Sequence, residues 1–173
     1  MTIPTLETPH LILRPWRLED ADALFRILRE PDILKYFPST TFTLEKTQGY
    51  INHQLTHWLE HGYGHWAVTL KEDDRMLGWN GLEYLPETDE NEVAYLLSHH
   101  AWGCGYATEA AQAAVRYGFE TSGLQTITGL VHPENSASIR VLEKCGLSFI
   151  DCKVYWGMEM RRYRIESINQ DKG

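Results

Sequence analysis

The chain is 173 residues long, with 43% hydrophobic and 23% charged residues and a net charge of −8 at pH 7. That length favours one compact domain with a sizeable core, and the composition excludes a disordered or fibrous chain. The acidic balance argues against a nucleic-acid binder and suits either plain solubility or a cationic partner; no apolar run reaches the length of a membrane span.

Residues 1–9 have no basic start followed by an apolar run, so no secretory signal is expected. The cysteines, Cys104, Cys145 and Cys152, are odd in number and show no paired spacing. That fits a reducing, cytoplasmic setting better than a disulfide framework. Scattered histidines and the lack of a CxxC pair give no metal pattern. No repeat or Gly/Ser-rich linker divides the chain, so 1–173 reads as a single domain, with a core of about 6–165 and a polar, frayed tail at 166–173.

In chain order, residues 11–17 (LILRPWR) alternate apolar and polar side chains and predict a strand, with Pro15 marking a sheet edge or a bulge. Residues 19–30 carry Ala23, Leu24, Ile27 and Leu28 at helical spacing and stop at Pro31. Thr43 is a candidate cap for a helix over 44–61, which turns Ile51, Leu55, Trp58 and Leu59 to one face and ends at Gly62 and Gly64. Strands at 65–70 and 76–84 flank a charged turn, and a polar loop at 86–91 leads to a more apolar, hence central, strand at 92–97. The glycines of 99–107 break the pattern before a long helix at 108–121. A strand at 125–131, a helix at 136–145 capped by Asn135, and two closing strands at about 147–154 and 158–165 complete the chain. This order predicts a mixed α/β domain around one sheet of about six to seven strands with about four helices. Trp58, Trp66, Trp79 and Trp156 read as core or cleft wall.

The strongest chemical signal is Trp102-Gly103-Cys104-Gly105-Tyr106-Ala107, between a strand and a helix. The glycines permit a tight turn and close approach of an anion to backbone N–H groups, and the helix that follows adds its unpaired amides and positive dipole end. Thr108 adds a candidate hydroxyl contact. The same residues also suit a turn with no ligand. The pattern is neither a dinucleotide GxGxxG nor a P-loop, which needs GK[ST].

These residues, with the preceding Glu92-Val93-Ala94-Tyr95-Leu96-Leu97 and the following Thr108-Glu109-Ala110, resemble the acetyl-CoA motif of the GNAT superfamily of N-acetyltransferases. The resemblance is nearest to the branch of ribosomal-protein N-terminal alanine and serine acetyltransferases. Leu11-Ile12-Leu13-Arg14-Pro15-Trp16 resembles that branch's opening strand, Met76-Leu77-Gly78 its glycine-containing strand, and Asn135-Ser136-Ala137-Ser138 with Val141 to Leu147 its late helix. The resemblance implies a sheet splayed between the strands at 92–97 and 125–131, with the thioester in the gap. It also implies that backbone N–H groups of Gly103, Cys104, Gly105, Tyr106, Ala107 and Thr108 hold the CoA pyrophosphate. Leu96, Leu97 and Ser98 would pair with the pantetheine arm as an added strand, an amide near Leu97 would polarise the thioester carbonyl, and Asn135 would touch the arm.

Three positions depart from the superfamily pattern. Trp102 stands where Arg or Gln is common, and Cys104 where Lys is common, so Arg140 or Lys144 becomes the candidate phosphate partner. Leu142 occupies the position of the frequent catalytic Tyr, which leaves Ser138 as the candidate hydroxyl beside the sulfur. The implied reaction is direct attack of an amine on acetyl-CoA in a ternary complex, with the amine deprotonated first and an oxyanion forming near Leu97. Candidate bases are Glu92 and Glu83, then His99 or His100, although residue type alone favours a solvated surface side chain for each. The connection around Tyr36, Phe37 and 38–42 would wall the acceptor site. The expected acceptor is a protein N-terminus or a small amine, with no nucleic acid or membrane partner, and the chain a monomer or homodimer. A non-catalytic acyl-CoA-binding module is the alternative; it predicts binding without turnover.

Overall fold

A computed structural model describes residues 2–38 and 41–168. Two short opening strands, β1 (Leu6–Glu7) and β2 (Leu11–Arg14), precede a 3-10 turn and helix α1 (Ala21–Leu28). Helix α2 (Leu44–His61) follows, then strands β3 (His65–Leu70), β4 (Met76–Leu85) and β5 (Glu90–Leu97). Helix α3 (Tyr106–Glu120), β6 (Thr126–Val131), α4 (Ser136–Lys144) and the hairpin β7 (Ser148–Tyr155) and β8 (Met158–Glu166) complete the order. All eight strands form one sheet in the order β1-β2-β3-β4-β5-β6-β8-β7, antiparallel except between β5 and β6. The predicted order of elements holds; β1, too short to show a period, is the strand the sequence reading lacked. Pro15 closes β2 next to the edge rather than lying within a strand. Glu166 is still paired, with Thr126, and the rest of the expected tail from 169 on lies outside the described residues.

The punctuation of the helices is chemical. Thr43 accepts from the Lys46 N–H at the start of α2, and Gly62 ends that helix in the left-handed region at φ 76°. Ala21, Leu24, Ile27 and Leu28 form the buried stripe of α1. The α1–α2 layer packs on Ala67, Trp79 and Leu96 on one face of the sheet. On the other face, α3 and α4 pack on Leu82, Val93 and Ile127. Helix α3 rides close because its sheet-facing residues are small: a Cβ on Gly118 would stand 2.8 Å from both Ile127 and Leu82. Asn80 on β4 donates to the Ala110 carbonyl at 2.9 Å and pins the helix to the sheet.

The closing hairpin turns through Trp156 and Gly157, both at positive φ, as in a type I′ turn. Trp156 is therefore at a loop tip and about half exposed, not core as its type suggested, whereas Trp58, Trp66 and Trp79 are buried. Among the described residues no helix is long and apolar enough to cross a membrane.

Candidate active site

Strands β5 and β6 share one ladder position, Glu92 with Thr128. Beyond it the two strands part toward their C-terminal ends. The closed end is held by a buried cluster in which Glu90 accepts from Tyr155 Oη at 2.6 Å and from Arg162 at 2.8 Å, and Arg162 also forks onto Asp151. At the open end the backbone pattern decides what faces the gap. Ser98 N–H donates to Leu77 O, so Ser98 and Leu77 are a bonded pair of the β4–β5 ladder. In an antiparallel ladder bonded and non-bonded pairs alternate, so the N–H and C=O of Leu97 point away from β4, toward the gap. The Leu97 carbonyl accepts from the indole of Trp102 at 2.8 Å. The amide is then the polar group that Leu97 presents there.

Ser98, expected to meet the pantetheine arm, is otherwise engaged. Its hydroxyl donates to Glu30 at 2.6 Å, its N–H is on Leu77 and its carbonyl accepts from Ala101. His99 also turns to Glu30 through its backbone N–H at 2.8 Å, and His100 is exposed. The strand's available edge thus ends at Leu97.

The turn into α3 has Gly103 and Gly105 at φ 74° and 78°, with open space where a Cβ would stand. Both are exposed, as is Cys104, whose thiol donates to the Trp102 carbonyl at 3.6 Å. Glu109 N–H is the first amide of α3 to reach the helix, on Gly105 O, so the amides of Tyr106, Ala107 and Thr108 have no intrahelical partner. This is an open cradle of N–H groups at a positive dipole end, and it suits a pyrophosphate. The end of α4 packs on the first turns of α3 through Gln112 and the Lys144 carbonyl, 3.1 Å. Arg140 and Lys144 are exposed on that same helix, within the layer beside the cradle.

Across the gap, Asn135 caps α4 by accepting from Ser138 N–H at 3.2 Å, which leaves its side-chain NH2 for a ligand. Ser138 Oγ lies 2.8 Å from Tyr95 Oη. Tyr95, two residues before Leu97 on β5, was not singled out in the sequence; the alternation that sends Val93 and Leu97 toward α3 and α4 sends Tyr95 there too. Burial pushes its phenol well above the ordinary range, against the smaller effect of the Ser138 hydrogen bond.

On the α1–α2 face, Glu83 and Glu92 are direct cross-strand partners. Neither is the solvated side chain that residue type alone favoured. Glu83 meets His53 at 3.1 Å and His65 at 3.6 Å. Burial alone would raise its carboxyl; the surrounding imidazoles outweigh that and hold it below the ordinary value. Glu92 is 8% exposed and has no hydrogen-bond or ion-pair partner among the described residues. Burial, and then the charges of Glu83 and Glu90, push it up to about 8. A buried carboxyl without a partner, held above its ordinary value, is a candidate for proton transfer.

Beyond these carboxylates the same two strands floor an apolar cavity of about 150 Å³, walled by Leu34, Phe37, Phe42, Tyr50, Trp79 and Leu96. Tyr36, in the same connection, stacks on His132 just after β6 at 5.0 Å, tying that wall to the far side of the gap.

Residues 10–148 match the acetyltransferase (GNAT) domain family. The chain belongs to that family. As a GNAT protein it is an acetyl-CoA-dependent acyltransferase. It is 35% identical over 147 residues to an uncharacterised N-acetyltransferase, p20, of Bacillus licheniformis, covering 84% of this chain and 82% of the relative. An acetyltransferase structure from Agrobacterium tumefaciens superposes with a TM-score of 0.84 at 30% identity, over 96% of each chain. The fold is also that of RimL, a ribosomal L7/L12 α-N-protein acetyltransferase solved with coenzyme A, at a TM-score of 0.78 and 16% identity over 96% of this chain and 98% of that one. The splayed, mixed eight-stranded sheet of this GNAT chain exceeds the expected strand count by one or two, because β1 adds a rung at one edge.

Proposed function

We propose that this GNAT chain is an N-acetyltransferase that passes an acetyl group from acetyl-CoA to an amine, a protein N-terminus or a small amine, in a ternary complex. The observation that carries the reading is the divergence of β6 from β5 past Glu92, which leaves the Leu97 amide directed into a gap beside the glycine-led start of α3.

The residues present fit the donor. Amides of residues 103–108 would hold its pyrophosphate, with Arg140 or Lys144 adding charge, while Leu97 and Asn135 would line its arm; the backbone of Leu96 pairs with Trp79 on β4 and its side chain lines the cavity on the α1–α2 face. When bound, acetyl-CoA supplies the activated acetyl group. Leu97 N–H is oriented to donate to the acyl oxygen as it gains charge, and it needs no reorganisation to do so. Glu92, in its deprotonated form, takes the proton that the ammonium must lose, directly or through a water. Ser138, with Tyr95 behind it, offers a hydroxyl hydrogen bond to the departing sulfur. Glu83 keeps its own imidazole partners, and its negative charge adds to the upward push on the Glu92 carboxyl.

The test is thermal unfolding with and without acetyl-CoA on the wild type and on Gly105→Arg, followed by mass-spectrometric detection of acetylated amines. Binding to the wild type alone, with product, is the expected result. Binding without product on any amine would leave a binding module, and no shift at millimolar acetyl-CoA would reject the donor.

A further inference from the structure

We infer that the cavity on the α1–α2 face is the acceptor's side-chain pocket, and that the preferred amine carries a compact apolar substituent, an aromatic ring or a branched aliphatic group. This rests on the amine-acetylation reading above.

Register connects the cavity to the chemistry. Along β4 and β5 the paired positions on this face are Trp79 with Leu96, then Gly81 with Ala94, then Glu83 with Glu92. The first pair floors the cavity and the third supplies the candidate base; between them stand only a glycine and an alanine. Leu96 also immediately precedes Leu97, whose amide enters the gap. An amine placed between Leu97 and Glu92 therefore lies beside the mouth of the cavity, over small residues that leave it room. Its substituent has the cavity as its neighbour.

The chemistry of the wall selects the substituent. Leu34, Phe37, Phe42, Trp79 and Leu96 offer no charge, and the hydroxyl of Tyr50 is taken by His65 Nδ1 at 2.8 Å. A second ammonium, as on a polyamine or a lysine side chain, would lose its water there without a partner. An apolar cavity of about 150 Å³ has room for a group the size of benzene. The acidic residues near the cleft thus handle the reacting amine, while the pocket reads an apolar shape.

The experiment uses the amides of glycine, alanine, leucine, phenylalanine and lysine as acceptors, with acetylated product measured by mass spectrometry, on the wild type and on Leu34→Trp, which fills the cavity. Phe42→Ala, which enlarges it, is the second variant, and an unchanged acetyl-CoA thermal shift verifies that each variant is folded. Expected is a rise in kcat/KM of about fourfold per buried methylene from the glycine to the leucine amide. Leu34→Trp should cost the leucine and phenylalanine amides about tenfold or more and the glycine amide about twofold at most. A flat series, or a preference for the lysine amide, overturns the inference and leaves acetyl transfer standing. If Leu34→Trp instead removes the use of propionyl- and butyryl-CoA and spares the acceptor ranking, the pocket belongs to the acyl chain and the inference fails. If no amide is acetylated, thermal shifts of the same amides on the CoA-bound protein decide. A ranking by apolar bulk keeps the pocket and rejects transfer; no ranking rejects the pocket.

Discussion

As the proposed base, Glu92 would couple catalysis to stability in opposite directions. Its carboxyl sits at about 8 in the folded chain against an ordinary 4.5, so between those values the folded form binds more protons than the unfolded form. The stability this group contributes is full below about 4.5 and is lost as pH rises toward 8. Glu92→Gln, permanently neutral, should match the wild type in melting temperature near pH 4.5 and exceed it at pH 8, by about 2–4 °C for each kcal/mol relieved. Turnover runs the other way: the wild-type rate should climb with pH to a plateau above about 8. Glu92→Gln should lose that limb and about 10²–10⁴ in kcat. A steady-state pH profile beside a melting series reads both. Ser138→Ala should lower kcat about 10–100-fold with little change in acetyl-CoA affinity, the loss of one hydrogen bond to a charged sulfur. A drop in affinity with kcat intact would make Ser138 a binding residue instead. The sequence put Glu92 ahead of Glu83 as candidate base, but no local signal showed what either carboxylate meets. What separates them is the face of α2, whose His53 and Gln54 reach Glu83 from about thirty residues away in the chain. Tyr95 lay within the motif-like run 92–97 with nothing local to mark it, and its partner Ser138 lies 43 residues on.

Among the elements, the junction of β5 and β6 does most to define the site. Its closed end depends on Glu90, which is 8% exposed and answered by Arg162 and Tyr155. Removing one side of a buried ion pair leaves the other uncompensated, so Glu90→Gln or Arg162→Met should each cost about 3 kcal/mol or more in urea unfolding. An effect below about 1 kcal/mol would mean that the cluster is solvated and does not close the gap. At the open end Gly78, at φ 144°, approaches so closely that a Cβ would stand 2.0 Å from the Leu96 carbonyl oxygen, so alanine there must displace the strand that carries Leu97. Helices and strands with clear punctuation, such as Thr43 to Gly62, were legible because local chemistry sets their ends. The site was less so. The gap is a failure of pairing between strands joined through a whole helix, and no local period records where two strands stop touching.

For the molecule as a unit, acetyl-CoA at about a hundred times Kd should add roughly 2.7 kcal/mol of stability, and Gly105→Arg should abolish that gain. The divergence of β6 from β5 has a further consequence for how the fold opens. Strands β1–β5 and β6–β8 are two antiparallel half-sheets that share a single ladder position. Such halves are natural candidates for separate cooperative units, with the β6–β8 unit free to loosen without unzipping its neighbour. A donor arm laid along the gap would act as added rungs between them. Amide hydrogen exchange in β6 and β8, remote from the phosphates, should then slow on donor binding, and the enzyme would gain its mechanical continuity from the molecule it consumes.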